Sequence, residues 1–314
     1  MVARTSESCT GFLAWAGWQM RVPKDWRPLR LEGDWTRGSV ITGDAEKPIM
    51  QVKWWRPKSR RFNASRWMRR RMKSVKGKLA GRSDVPAPQG FANVAWSTNY
   101  RPRSGGAGSL WYGYAPGPGL VIEVLTAGSA SKRDQHTVAA NVLPRLQVSP
   151  ADRPTRWAVF GASFETPPGF VMTHRRIHLG DVAIWLRSPG RQRLMVRQVY
   201  PAELALARRP LAKWLRFQVF KEHRVFRPDA EPEPWSVTLD GRSVEGVRRI
   251  GRKALPFPLG FLGPRRSRAA VLHDTELDRL LIAEHDSTGA DDDRPLTAAL
   301  TAMNWATPAP GGRR

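Results

Sequence analysis

Hydrophobic and polar positions alternate with period two along much of the chain. The alternating runs end at proline, glycine or polar clusters, which is the pattern of short, half-buried strands. WQMRV is such a run, stopped by Pro23. GSVIT from Gly38 and PIMQVKWW from Pro48 follow, both rich in the β-branched and aromatic residues that suit a pleated surface. FANVAWS, SLWYGYA and GLVIEVLT predict three more strands, the last two joined by the turn-forming APGPG. In two stretches the period lengthens. Asn63 is placed to cap a helix running to about Gly77, with Met68, Met72, Val75 and Leu79 as its apolar stripe. A second helix is expected from about Asp134 to Leu146.

The same grammar then returns. WQMRVPKDW aligns with ASFETPPGF, putting Pro23 on Pro167 and Trp26 on Phe170, and MQVKWWRP aligns with LMVRQVYP at the same offset. Gly33 and Asp34 match Gly180 and Asp181, Trp67 matches Trp214, and LVIEVL matches LLIAEH. In the second copy Pro210 suits the first turn of a helix through LAKWLRFQVF, and TELD joins two strands. Conserved order with drifting offsets predicts a tandem duplication. The expected organisation is a tail over 1–11, a first repeat over 12–148, a stiff linker over 149–156, a second repeat over 157–306 and a flexible tail over 307–314. The expected fold class is α+β: two similar domains, each a mainly antiparallel sheet covered by two helices.

A strand ending in Pro-x-x-aromatic (VPKDW, TPPGF), a meander, a helix, another meander and a final helix resembles the PsbP-like and DcrB-like fold group. Here the layout occurs in two copies over nearly the whole chain. That resemblance implies a binding protein, an accessory protein or an assembly factor, and carries over no catalytic residue.

Length and composition agree with two domains: 314 residues, of which 41% are hydrophobic and 25% charged. No apolar run reaches the roughly 18 residues that span a bilayer, and the first residues lack the apolar stretch of a signal peptide. Cys9, the single cysteine, excludes an intrachain disulfide and fits a reducing compartment. A soluble, cytoplasmic protein is expected.

Charge changes this picture most. The formal net charge is +25, which favours polyanionic partners. A GC-rich genome would inflate arginine everywhere, so position is more informative than total. Fourteen Lys and Arg lie between Lys47 and Arg82 without one acid, whereas Ala269 to Gly312 holds eight acids and two arginines. The candidate nucleic-acid site is therefore Arg56, Arg60, Arg61, Arg66, Arg69, Arg70, Arg71, Lys73 and Lys76, on and before the helix capped by Asn63. Like charges at i,i+4, such as Arg66/Arg70, weaken a helix by a few tenths of a kcal/mol each, so a bare basic face gains from an outside anion. An ordinary solvated face, an acidic protein or a lipid surface are the alternatives. Trp54, Trp55, Phe62 and Trp67 lie among these charges and could stack bases, but the match of Trp67 to Trp214 favours packing.

His273, Asp274, Glu276, Asp278, Glu284, His285 and Asp286 form an acidic hairpin whose ends could meet. A solvated hairpin, or one that partners internal arginines, is favoured over a metal or acid–base site. No phosphate loop, nucleophile elbow or HExxH motif occurs. The expectation is a non-enzymatic protein without cofactors, its basic first domain contacting nucleic acid, RNA favoured, through phosphate. A protein-binding adaptor with an acidic partner is the alternative.

Overall fold

The computed structural model describes residues 9–58, 62–74, 87–100, 108–207, 209–222, 226–253, 265–287 and 293–303. The chain divides into two units, Met1–Gly161 with Ala306–Arg314, and Ala162–Trp305.

In the first unit β1 (Gly11–Trp15) and β2 (Trp18–Val22) form a hairpin. Its turn residues Ala16 and Gly17 have φ of 48° and 86°, the left-handed pair that a two-residue turn between twisted strands requires. This hairpin is flanked by β9 (Gln147–Val148) and β10 (Thr155–Val159). The large sheet is built from β3 (Arg27–Gly33), β4 (Arg37–Gly43), β5 (Pro48–Trp55), β6 (Ala92–Tyr100), β7 (Gly108–Ala115) and β8 (Leu120–Thr126). Their spatial order is β3-β4-β5-β8-β7-β6, antiparallel throughout. The helix α1 (Ala64–Ser74) sits on one face, where Met68 packs against Leu110, Tyr112 and Leu125. Five tryptophans, Trp15, Trp18, Trp54, Trp111 and Trp157, are almost fully buried, and Trp15 meets Trp157 edge to face at 5.2 Å.

The second unit contains β11 (Ala162–Thr166), β12 (Val171–His178), β13 (Asp181–Arg187), β14 (Arg193–Val199), α3 (Ala202–Leu206), α4 (Leu211–Glu222), β15 (Phe226–Pro228), β16 (Glu233–Leu239), β17 (Arg242–Lys253), β18 (Arg265–Asp274), β19 (Arg279–Ser287) and α5 (Arg294–Thr301). Its sheet runs β12-β13-β14-β19-β18-β17-β15, with β16 also paired to β17. On one face Trp214 and Leu215 of α4 join Met195, Val271, Leu280 and Ile282. Leu296, Ala299 and Leu300 bury the apolar side of α5.

The strand orders coincide from the first strand to the sixth, and β15 and β16 have no counterpart among the described residues of the first unit. Gly33 and Gly180 both take positive φ, 90° and 75°, in the β3–β4 and β12–β13 turns. A Cβ at Gly33 would run into the carbonyl of Arg37, and one at Gly180 into that of Tyr200, so both turns require glycine.

The sheets are antiparallel, as expected, and the helices are few, so the architecture is mainly β more than a clear α+β. Segments read as connections are strands: β3 and β12 lie at sheet edges, and each has a register shift, at Pro28/Arg30 and at Met172/His174, that interrupts the alternation marking a half-buried strand. The helix expected from Asp134 to Leu146 also differs. Ser131 and Asp134 make a reciprocal capping box and α2 runs over Lys132–Thr137. The coil then widens to a π-turn over Val138–Val142 and tightens to a 3-10 turn at Leu143–Arg145, where Pro144 offers no N–H. No helix among the described residues is long and apolar enough to cross a membrane.

Candidate functional site

The first turn of α1 forms as its sequence dictates. Asn63 Oδ1 accepts from the Arg66 N–H at 2.8 Å, so Asn63 is the cap. Residues 75–86 lie outside the described residues, and with them Val75, Lys76 and Leu79 of the expected helix. Arg60 and Arg61 are outside them too.

The side chains of α1 separate by face. Met68 is buried and Trp67 half-buried, while Arg66, Arg69, Arg70 and Lys73 are exposed. Among the described residues none of these four has a carboxylate within 4 Å. Arg71 turns inward: its guanidinium lies 3.4 Å from Glu123 and 5.9 Å from the centre of the Tyr112 ring. Burial opposes its charge, but Glu123 and Tyr112 together outweigh that and hold Arg71 above the ordinary arginine value. Glu123 is the buried acid of this sheet, with Lys53 at 3.7 Å on its other side.

Arg56 stands apart from the helix. Its guanidinium donates to the Ala16 carbonyl at 2.7 Å and to the Trp35 carbonyl, and stacks over the Trp35 ring at 4.1 Å. Burial pushes it down to about 10. This arginine ties two turns of the first unit together and presents no free fork to a phosphate. Of the nine candidate residues, the structure thus brings four onto one open face, uses two internally, and does not describe three.

The aromatics pack. Trp54 is buried and donates Nε1–H to the Asp34 carbonyl at 3.0 Å. Trp55 points to the opposite face, as strand geometry requires, and meets Trp67 at 4.8 Å. Trp67 also meets Phe62 at 6.3 Å and Tyr112 at 5.8 Å. They anchor α1 to the sheet.

The acidic hairpin is committed internally. Asp274 receives Arg279 Nε and Nη2 at 3.0 and 2.9 Å and Arg242 at 3.3 Å, and Glu276 lies 2.9 Å from Arg242. Burial of Asp274 disfavours its charge, but Arg279 and Arg242 outweigh that and hold the carboxyl below the usual aspartate range. The expectation that the ends of the segment meet is corrected. The turn joins Asp274 to Arg279, and the register places His285 opposite Arg268 and Asp286 opposite Ser267, far along the strands. Glu284 and Asp286 both contact Lys253 Nζ, the latter at 3.0 Å. Lys253 comes from another strand, so nothing near the hairpin in sequence announces it. Among the described residues no three of His, Cys, Asp and Glu gather into a set able to hold a metal ion.

A pocket of about 360 Å³ opens beside these acids, lined by His174, Trp185, Arg187, Arg193, Glu284 and Asp286 among others. The sequence reading missed it. Its signal is three i,i+2 pairs, Trp185/Arg187, Arg193/Met195 and Glu284/Asp286, which on neighbouring strands must share one face.

No family model matches this chain, and no curated protein matches it.

Proposed function

We propose that the protein binds nucleic acid, RNA favoured, through phosphate contacts of the open face of α1. The observation that carries this reading is the exposure of Arg66, Arg69, Arg70 and Lys73 without carboxylate partners among the described residues, on a helix whose other side is anchored by Trp67, Met68 and Arg71. Four cations held on a rigid element repel one another, and phosphates relieve that repulsion while releasing condensed counterions. Arginine's planar fork suits phosphate in two-point contact. The single cysteine fits work in the cytoplasm.

The same reading treats the chain as two copies of one unit, of which the first was turned to binding. The shared strand order, the paired glycine turns and the position of Trp67 and Trp214 on equivalent helices support it. Among the described side chains of the helix α4, Lys213 and Arg216 are the exposed cations, and Arg216 has Glu231 at 3.9 Å.

The test is the salt dependence of binding. Log affinity should fall against log salt by roughly 0.7 per phosphate contact for single strands and 0.9 for duplex. Replacing Arg69, Arg70 and Lys73 by Glu should flatten that slope by about one unit per lost contact for all sequences alike. If the triple variant binds RNA and DNA as the parent does, the reading fails and a protein-binding adaptor takes its place.

A further inference from the structure

At one end of the second sheet, like charges stand face to face. Arg187 of β13 lies directly opposite Arg193 of β14, and Lys253 of β17 directly opposite Arg265 of β18. Members of such a pair share a face of the sheet, and like charges there repel and weaken the strands that hold them. Arg191, in the turn that joins β13 to β14, adds a fifth cation, and its carbonyl accepts from Arg265 at 3.0 Å. Arg187, Arg191 and Arg193 are exposed, and none has a carboxylate within 4 Å among the described residues. The Arg265 Nε is buried without a partner among them. Burial lowers the Arg265 pKa first, and the charge of Arg193 lowers it next; Asp286 opposes this, and Arg187 and Arg191 add to the fall.

Two acids lie among these cations, and both are engaged. Lys253 Nζ contacts both oxygens of Asp286, at 3.0 and 3.1 Å, and one oxygen of Glu284. Asp286 also stands opposite Arg193 in the register. Five cations thus meet two acids that already have an internal partner. A surplus of that sign, fixed in place by the strands, favours an anion from outside. Two opposed guanidinium forks match a group with three terminal oxygens and nearly two charges, which a phosphate monoester has and a carboxylate lacks.

Beside this cluster lies the pocket of about 360 Å³, a volume within the range of small-molecule sites. Trp185, Leu186, Leu194 and Met195 give it an apolar lining. Trp185 stands between Met195 and His174 in the register, with the His174 ring at 5.1 Å and the Arg176 guanidinium 5.5 Å from its ring centre. With Glu284 and Asp286 held by Lys253, the lining gives a polar body little to bond and an apolar body area to bury.

We propose that this pocket binds a small phosphate monoester with an apolar body, its phosphoryl group on Arg187, Arg193 and Arg265 and its body against Trp185, Met195 and His174. Neither acid has a part in holding it. A plain anion would use only the arginines, and an uncharged apolar molecule only the lining. The site uses no residue of α1, so its test is independent of the nucleic-acid reading.

The test is calorimetric titration of the full chain with 1-naphthyl phosphate at fixed ionic strength. Inorganic phosphate, glycerol 3-phosphate, 1-naphthoate and 1-naphthol are the comparisons. They remove the body, make it polar, replace the phosphoryl group by a carboxylate, and remove the charge. The expected result is saturable binding of 1-naphthyl phosphate at sub-millimolar concentration, at least tenfold tighter than each of the four. R187A/R193A, two exposed changes, should weaken it tenfold or more. H174A, also exposed, should weaken it severalfold and leave inorganic phosphate unchanged, because the body alone touches that wall. Failure of 1-naphthyl phosphate to saturate at millimolar concentration overturns the proposal. So does equal affinity for any of the four comparisons, unchanged affinity in R187A/R193A, or an equal loss for inorganic phosphate in H174A.

Discussion

The two large sheets share one strand order and treat charge in opposite ways. The first keeps its cations outside: α1 shows Arg66, Arg69, Arg70 and Lys73 to solvent, and its sheet buries one acid, Glu123, between half-exposed Lys53 and Arg71. The second takes its charges in. Asp274 with Arg279 and Arg242, Lys253 with Glu284 and Asp286, Arg197 with Asp181, and Arg268 with Asp293 are ion pairs with at least one buried member. Topology therefore fixes where a side chain can reach, while the choice of partner decides whether a cation becomes surface or scaffold. A chain of high net charge can spend its arginines in both ways at once.

The sharpest way to break this contrast is to unpair a buried charge in the second sheet. D274N should cost about 3–5 kcal/mol, because Arg279 is left buried against a neutral amide. Denaturant unfolding would show it, and a loss below about 1 kcal/mol would mean that these pairs are no more than surface pairs. Acid sharpens the point. Asp274 titrates in the folded protein below its unfolded value of roughly 3.9. Its contribution is complete above that value and disappears as pH falls through the folded one. D274N should therefore lose less stability than the parent on acidification below about pH 4.

Next in size is the exchange of sign on the two helices. R69E/R70E/K73E should weaken polyanion binding roughly a hundredfold at moderate salt with little change in stability, whereas K213E/R216E should cost severalfold at most. Equal losses in a filter-binding or anisotropy assay would remove the asymmetry on which the contrast stands.

Smaller is E123Q. Arg71 and Lys53 are each 40% exposed at the side chain and can turn to water, so the cost should be about 1–2 kcal/mol, well below that of D274N. Smallest is D34A. Asp34 Oδ1 accepts from the Thr36 hydroxyl and from the N–H groups of Thr36 and Arg37, which holds its carboxyl below the usual range against the cost of burial. Losing this exposed turn should cost about 1 kcal/mol. Its aligned partner Asp181 instead grips Arg197 with both oxygens at 2.8 and 3.0 Å, so D181A should cost more.

The interior strands were legible because burial of one face imposes a period. β5 has the bounds that alternation assigned to it, Pro48–Trp55, and the turn at Pro116–Gly119 joins β7 to β8 as proline and glycine predicted. The cap at Asn63 was legible for the same local reason. Edge strands were not, since RPLRLEG and VMTHRRIH face water on much of their surface. The site was legible only where it depended on local spacing. Arg69 and Arg70 fall on the outer face of α1 by helical geometry, but the inward turn of Arg71 depends on Glu123, fifty-two residues away. Lys253 meets Asp286 across thirty-three residues, and Arg56 meets Ala16 across forty. Long-range partners leave no period in the sequence, so charges that look alike in a row become different objects in the fold.

Those illegible edges have a consequence for self-association. The apolar strands most able to zip with copies of themselves, LVIEVLT and the core of RLLIAEHDS, lie in the middle of their sheets with neighbours on both sides. What the described sheets offer at one border are β3, with Arg27, Arg30 and a proline at 28, and β12, with Arg175 and Arg176. A second molecule adding a like strand there meets guanidinium against guanidinium, and at Pro28 it finds no N–H to bond. Even at high concentration, growth of one chain's sheet onto another's is opposed along these two edges, β3 and β12.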